Sequence, residues 1–527
     1  MDNEGKDPKA LTVAQAGGLM TGLILLSRIL GQVRDTIISY KFGQDAITDA
    51  YRAAFSVPDL LFFLIAGGAL SSAFIPVFTQ YWSTDKKEEA WKVFSAVTTV
   101  MGIIVVGFVV FAEIFAGPLL DIVAPGLEGE TRDMAVHMSR IVLPSQIGFF
   151  LGGLMFGTMN ARRHFLTPGL SPNIYNLGII FGALVVSNFL AVPIFGLAWG
   201  ALIGALVGSL AVPIILMKRF GVSYRPSLDL SHPGVKQVFK LMLPVVLGLS
   251  LPGVYAIALR FFASFQEAGI ISALENANRI MQAPLGIFGQ SLAIAVFPVL
   301  SALYAQNKAP EFLQTLSKTL RTALYIGIFV SAMLLVLSDD IVRILFQYGK
   351  FTAADAVITS NALKMFSIGV FAWCAHPVLM RAFFAMHDSL RPILLGTVTS
   401  AVFAFLCWLF ADRLGYAGLP LATSVSAILL MVMLLAALRM KLTRIDGKRL
   451  LRLFVVGGAS AVGTAAAVHF IGSLVPASAD SSHWVSALRV VLLGLGGAWV
   501  YLGIGKWMGL DEAKYAFTAI GKRLGKG

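Results

Sequence analysis

Charge and cysteine are what this chain has least of. Only 13% of its 527 residues are Asp, Glu, Lys or Arg, while 57% are hydrophobic, and the mean hydropathy is +0.80. A soluble domain carries about 25% charged residues, so an ordinary water-facing surface is excluded. The two cysteines, Cys374 and Cys407, both fall inside apolar runs. That excludes a disulfide framework or a thiolate metal site and leaves them as small packing residues. The seven histidines are scattered, with no His-Glu-x-x-His cluster and no glycine-rich phosphate loop anywhere in the chain. Metallopeptidase and nucleotide-hydrolase chemistry are thereby disfavoured; no enzyme activity, cofactor or metal is expected. The N-terminal "MDNEGKDPKA" lacks a basic n-region, and the first apolar run lacks a cleavage site, so that run is expected to remain as a helix.

Long apolar runs are what the chain has instead. A membrane helix needs about 20 mostly apolar residues, and runs such as "VMGIIVVGFVVFAEIFAG" are continuously apolar, unlike the alternating segments of a barrel. Breaks at charge, proline and glycine place fourteen helices near 11–31, 47–82, 92–116, 134–160, 168–190, 195–217, 236–265, 275–304, 314–338, 356–386, 390–412, 416–440, 449–474 and 484–508. The net charge of +13 is spread through short loops, which speaks against nucleic acid and for membrane orientation. With the N-terminus inside, 27 of the 41 Lys and Arg fall on the cytoplasmic side, 6 on the other and 8 within the spans. This positive-inside bias predicts both termini in the cytoplasm.

An internal repeat underlies the spans. "AFIPVFTQYWSTDKKEEA" from Ala73 echoes "AVFPVLSALYAQNKAPEF" from Ala295 at an offset of 222, and "FGLAWGALIGA" from Phe195 echoes "AGLPLATSVSA" from Ala417 at the same offset. The expected fold is therefore an all-α integral membrane protein with two pseudo-symmetric six-helix lobes, 1–220 and 221–440, around a central cavity. Residues 441–527 add two helices and a tail. Both halves begin on the same side, as parallel repeats do in transporters whose site lies between them.

Eight basic residues fall inside the spans: Arg28, Arg52, Arg140, Arg260, Arg279, Lys364, Arg381 and Arg489; the acidic ones are chiefly Asp49, Asp59, Glu113 and Glu275. A cavity lined by half of these cations would take an anion, and arginine's planar fork suits phosphate. Blander readings stand beside this one. Arg381, Arg489, Lys364, Arg140 and Arg260 are placed to snorkel toward headgroups. Glu275 and Arg279 are four apart, and Asp49 and Arg52 three apart, so each couple is spaced for an intrahelical ion pair. Arg28 and Asp35, in "SRILGQVRD", are seven apart and within about 20° of one helix face; they too are aligned to pair, whereas Arg34 is rotated away and needs another partner. Pro58, Gly67, Gly68 and Pro76 in helix 2, and Pro284, Gly286 and Gly289 in helix 8, suggest bending. Gly200, Gly204 and Gly208 read as close helix packing.

Four stretches, "SRILGQVRDTIISYKFG", "TDAYRAAFSVPDLLFFLIAGGALSSAFIPVF", "NRIMQAPLGIFGQSLAIAVFPVLS" and "LFQYGKFTAADA", resemble the MurJ (MviN) family of lipid II flippases of bacterial cell-wall synthesis, in matching order from residue 15 to 440. The resemblance implies the multidrug/oligosaccharidyl-lipid/polysaccharide (MOP) exporter fold, two lobes about a cationic cavity, with the last two helices forming a groove for a lipid tail. The implied partner is lipid II, undecaprenyl-diphosphate carrying a disaccharide-pentapeptide, moved from the cytoplasmic to the outer leaflet of the bacterial inner membrane. Membrane lipids and other cell-wall synthesis proteins are further implied partners.

By motif, the family's arginines fall on Arg28, Arg34 and Arg279 and its aspartate on Asp49. Arg52 joins them as a candidate substrate ligand, with Asp35, Asp49 and Glu275 as gating or charge partners. The chain departs from the family pattern at Phe62, Phe63 and Gly67, where some members carry two arginines and a glutamate. It departs again at Phe403 and Cys407, where some relatives have sodium ligands. Three rival readings are a flippase for another polyprenyl-diphosphate glycan, a cation-coupled multidrug exporter of the same superfamily, and a non-transporting scaffold. The excess of basic residues disfavours the exporter.

Overall fold

The computed structural model describes residues 13–61, 69–162, 164–219, 221–442, 447–474 and 483–523, and among them every regular element is a helix. In chain order these are α1 (Val13–Phe42), α2 (Ala46–Ala54), α3 (Ser56–Leu61), α4 (Ala69–Ser83), α5 (Lys87–Ile114), α6 (Ala116–Val123), α7 (Gly129–Val142), α8 (Ser145–Ala161), α9 (Leu166–Leu184), α10 (Phe195–Ala205), α11 (Val212–Arg219) and α12 (Pro233–Ala263). There follow α13 (Ile270–Pro284), α14 (Gln290–Ala305), α15 (Ala309–Phe346), α16 (Ala353–Ser367), α17 (Val370–Ala385), α18 (Leu390–Leu414), α19 (Gly418–Leu442), α20 (Gly447–Leu474), α21 (His483–Trp507) and α22 (Asp511–Arg523).

Among the described residues, nine helical runs are long and apolar enough to cross a membrane, and α16 with α17, bent by 47°, makes a tenth. The chain is a multi-pass membrane protein. The fourteen expected spans do not correspond one to one with these runs. The span expected over 47–82 contains α2, α3 and α4, with Phe62, Phe63, Gly67 and Gly68 outside the described residues. Two expected spans merge in the run Leu390–Leu442, where α18 and α19 meet at a short turn. The α16/α17 break has a side chain built for it: Ser424 Oγ donates to Met365 O at 2.7 Å and to Phe366 O at 3.0 Å, and accepts the Gly369 N–H at 3.1 Å. Carbonyls released by the bend thus stay satisfied, as the membrane requires. The expected weak point at "APLGIFGQ" is a wide π-turn, Leu285–Gly289, with a second at Leu206–Ala211.

The backbone repeats with the sequence. Asp85 and Asn307, 222 residues apart, both adopt left-handed φ, 59° and 55°. The following lysines close identical turns, Lys86 N to Tyr81 O and Lys308 N to Leu303 O, each 3.0 Å. α5 and α15 then begin at matching positions, Lys87 and Ala309.

Packing divides the chain into two compact units, Met1–Ile271 with Tyr348–Phe351, and Ser272–Gln347 with Thr352–Gly527. In the first, α4, α5, α8 and α12 enclose an aromatic core of Phe74, Phe78, Trp91 and Phe94, whose rings meet 5.4–6.2 Å apart. α9 and α10 approach through glycine: a Cβ on Gly182 would fall on Gly196 O, and one on Gly200 on Gly178 O. That gives Gly200 the packing role its spacing suggested. In the second unit the 38-residue α15 is the axis, packed by α16, α17, α20 and α21. Tyr325 and Tyr501 stack at 4.5 Å and exchange hydrogen bonds with each other's backbone, fastening α21 to α15.

Candidate functional site

The charged residues singled out from sequence separate into a buried cluster and outlying groups. α1 carries Arg34 and Asp35 past the middle of its length. Neighbours on a helix point about 100° apart, yet Arg34 folds its guanidinium back over the next carboxylate. Its Nε and Nη2 donate to Asp35 Oδ1 at 3.1 and 3.0 Å, and Nη1 donates to Asn176 Oδ1 at 2.9 Å. Arg52 Nη1, from α2, reaches the same Asp35 oxygen at 3.5 Å. Arg34, Asp35 and Arg52 are 8%, 0% and 6% exposed, so two guanidiniums share one carboxylate away from bulk solvent.

Two asparagines of α9 complete the scaffold. Asn176 Nδ2 donates to Ser27 O at 3.2 Å, and Asn173 Nδ2 to Leu23 O at 3.2 Å. They fix α9 along α1 and orient Asn176 Oδ1 toward Arg34. Sequence reasoning missed both, although "SPNIYN" places two amides three residues apart in an apolar run, where polar side chains need partners.

The aligned pair of Arg28 and Asp35 does not form. Seven residues rise about 10 Å along a helix, and Arg34 and Arg52 both bond Asp35 instead. Arg28 is exposed and, among the described residues, has no hydrogen-bond or ion-pair partner. Asp49, buried at 3%, accepts the Gly269 N–H at 2.7 Å. Gly269 has φ +90°, and a Cβ there would meet Gln44 O at 2.6 Å, so only glycine fits that loop. Glu275 and Arg279 lie one turn apart on α13, in the second unit, each half-buried.

Several groups expected to snorkel are held by protein. Arg260 pairs with Asp59 at 2.9 Å, Lys364 with Asp339 at 2.9 Å and Arg489 with Asp340 at 3.5 Å. Arg381 lies 5.0 Å from the centre of the Phe297 ring, a cation–π contact. Arg140 Nε donates to Glu113 O at 3.2 Å. Among the described residues no group of His, Cys, Asp or Glu is arranged to hold a metal. Phe403 and Cys407 are buried in α18 at 1% and 0%.

Outside the spans, Asp388 between α17 and α18 accepts from Lys441 Nζ at 2.8 Å and lies 3.5 Å from Arg391 Nε. The Lys441 hydrogen bond holds its carboxyl below the usual carboxylate range.

Comparison with known proteins gives the family. The family model described as "Lipid II flippase MurJ" matches residues 38–489. A protein of Buchnera aphidicola named as a probable lipid II flippase MurJ is 30% identical over 408 residues, 77% of this chain and 80% of its own. The lipid II flippase MurJ of Burkholderia cenocepacia is 29% identical over 80% of this chain and 82% of its own. Among solved structures, a lipid II flippase MurJ in an inward closed conformation is similar with a TM-score of 0.77 at 24% identity, over 92% of this chain and 98% of that one. An inward-facing multidrug transporter of the MOP superfamily is similar at 0.65 and 14% identity, over 81% of this chain and 99% of that one, a likeness of fold. The chain belongs to the MurJ family of lipid II flippases.

Proposed function

We propose that the protein flips lipid II, undecaprenyl-diphosphate bearing a disaccharide-pentapeptide, from the cytoplasmic to the outer leaflet of the bacterial inner membrane by alternating access. Both termini lie in the cytoplasm, and the chain crosses the membrane fourteen times. Residues 1–220 and 221–440 are its two lobes. Residues 441–527 contribute α20 and α21, beside which the lipid tail travels.

The observation that carries the reading is Arg28: an exposed arginine on a membrane helix with no protein partner among the described residues, two turns from the buried cluster of Arg34, Asp35 and Arg52. An unpartnered arginine in a membrane helix costs about 2.5–3.5 kcal/mol even by insertion scales, and a phosphate offsets that cost. Arg28 contacts the diphosphate directly, and Arg279 is a candidate ligand carried over by motif. Arg34 and Arg52 supply charge from the buried cluster, which Asp35 holds in shape, while Asp49 fixes the loop before α13. Glu275 orients Arg279. The work is binding and movement; no bond in the substrate is made or broken.

The test is complementation of a flippase-depleted bacterium. Arg28→Ala and Arg279→Ala should each fail to support growth while the protein stays in the membrane at wild-type level; Arg34→Ala should also fail, with a lowered membrane level because a buried partner of Asp35 is lost. Normal growth of all three refutes the assignment.

A further inference from the structure

The second unit holds a cavity of about 320 Å³ between α15, α21 and α22 that the diphosphate contacts above do not use. Its volume is at the lower end for small-ligand sites. Phe288, Ile326, Phe329 and Leu502 form apolar wall. Nearer the start of α15 stand four charged residues: Lys318 and Arg321, with Asp511 and Glu512 from the first turn of α22. Lys318 and Phe329 are separated by about 16 Å of helix rise, so one end of the cavity is charged and the other apolar.

The ion pairs at the charged end are loose. Arg321 Nε lies 3.3 Å from Glu512 Oε1 and Nη1 lies 3.9 Å from Asp511 Oδ2, against about 2.8 Å for a well-formed pair. The Nε group is buried without a hydrogen bond among the described residues. Lys318 Nζ rests on the Tyr515 ring at 4.9 Å. A simple anion would meet both carboxylates and a simple cation both basic groups. A ligand carrying one charge of each sign meets complementary partners for both. Trp507 and Tyr515, 86% and 65% exposed near this end, are residue types that gather at headgroup depth.

We propose that this cavity binds a zwitterionic phospholipid with a primary amine, its phosphate at Lys318 and Arg321, its ammonium at Asp511 and Glu512, and its first methylenes against Phe329 and Leu502. A primary ammonium donates three hydrogen bonds, a choline headgroup none, and a glycerol headgroup brings no cation.

The experiment is native mass spectrometry of the full-length protein in detergent, offered phosphatidylethanolamine, phosphatidylcholine or phosphatidylglycerol of equal chain length. Phosphatidylethanolamine should be retained about tenfold more strongly than the other two, the worth of one charge-assisted hydrogen bond. Glu512→Gln should erase that preference. Asp511→Asn, at an exposed position, should reduce it, and serves if Glu512→Gln does not fold. Ala516→Trp, which fills the cavity, should abolish retention of phosphatidylethanolamine. Equal retention of the three lipids, or an unchanged preference in Asp511→Asn and Ala516→Trp, overturns the proposal. Displacement of phosphatidylethanolamine by sub-stoichiometric undecaprenyl phosphate also overturns it, because the cavity would then serve a carrier lipid. None of these results bears on the complementation test.

Discussion

Arg28 and Arg34 stand six residues apart on one helix and do different work. Arg34 uses three N–H groups on Asp35 and Asn176, whereas Arg28 has no such commitments among the described residues. The difference predicts opposite signatures for two substitutions. Arg28→Ala should leave the thermal midpoint of the purified protein within about 1 °C, since exposed substitutions usually change stability by no more than 0.5 kcal/mol, and should abolish complementation. Asp35→Asn removes the carboxylate that both buried guanidiniums bond and should cost about 3–5 kcal/mol, read as a large drop in midpoint and in membrane level. The sequence reading found every charged member of this cluster but aligned Asp35 with Arg28, whereas Arg34 and Arg52 bond it. Helical spacing reports which side chains share a face; it does not report that Arg34 curls back onto its neighbour, or that Arg52 arrives from another helix. Asn176 went unseen because an amide carries no charge to mark it.

At the scale of elements, glycine contacts and loop charges set the tolerances. Gly182→Val forces α9 and α10 apart against backbone on both sides; overpacking of this kind costs about 1–3 kcal/mol, measurable as a lowered midpoint, while Gly107→Val, where a Cβ meets open space, should be silent. The α17–α18 loop adds a pH dependence. Asp388 is held below its ordinary value chiefly by Lys441, so its stabilising contribution is fully present above the unfolded carboxylate value of about 3.9 and is lost as pH falls below it. The contribution is about 1 kcal/mol or less. Midpoints measured from pH 7 to pH 3 should therefore fall less for Asp388→Asn than for the wild type; parallel curves would contradict the sign. Element positions were legible from apolar runs and the offset of 222, down to the matched turns at Asp85 and Asn307. The breaks were less legible: Pro58 lies beside the α2/α3 break at Phe55, while the α16/α17 bend depends on Ser424, 55 residues beyond Gly369.

For the molecule as a whole, composition carried the membrane class, and repetition carried the two-lobed design, because both are written into many residues at once. The central claim is that Arg28 acts on the diphosphate and the buried cluster merely supports it. The direct measurement is the rate at which fluorescent lipid II becomes accessible on the far leaflet of vesicles containing the purified protein. The account predicts transfer by the wild type, transfer at the protein-free rate for Arg28→Ala at equal protein content, and partial recovery for Arg28→Lys, which restores charge without the fork. Wild-type transfer by Arg28→Ala would contradict it.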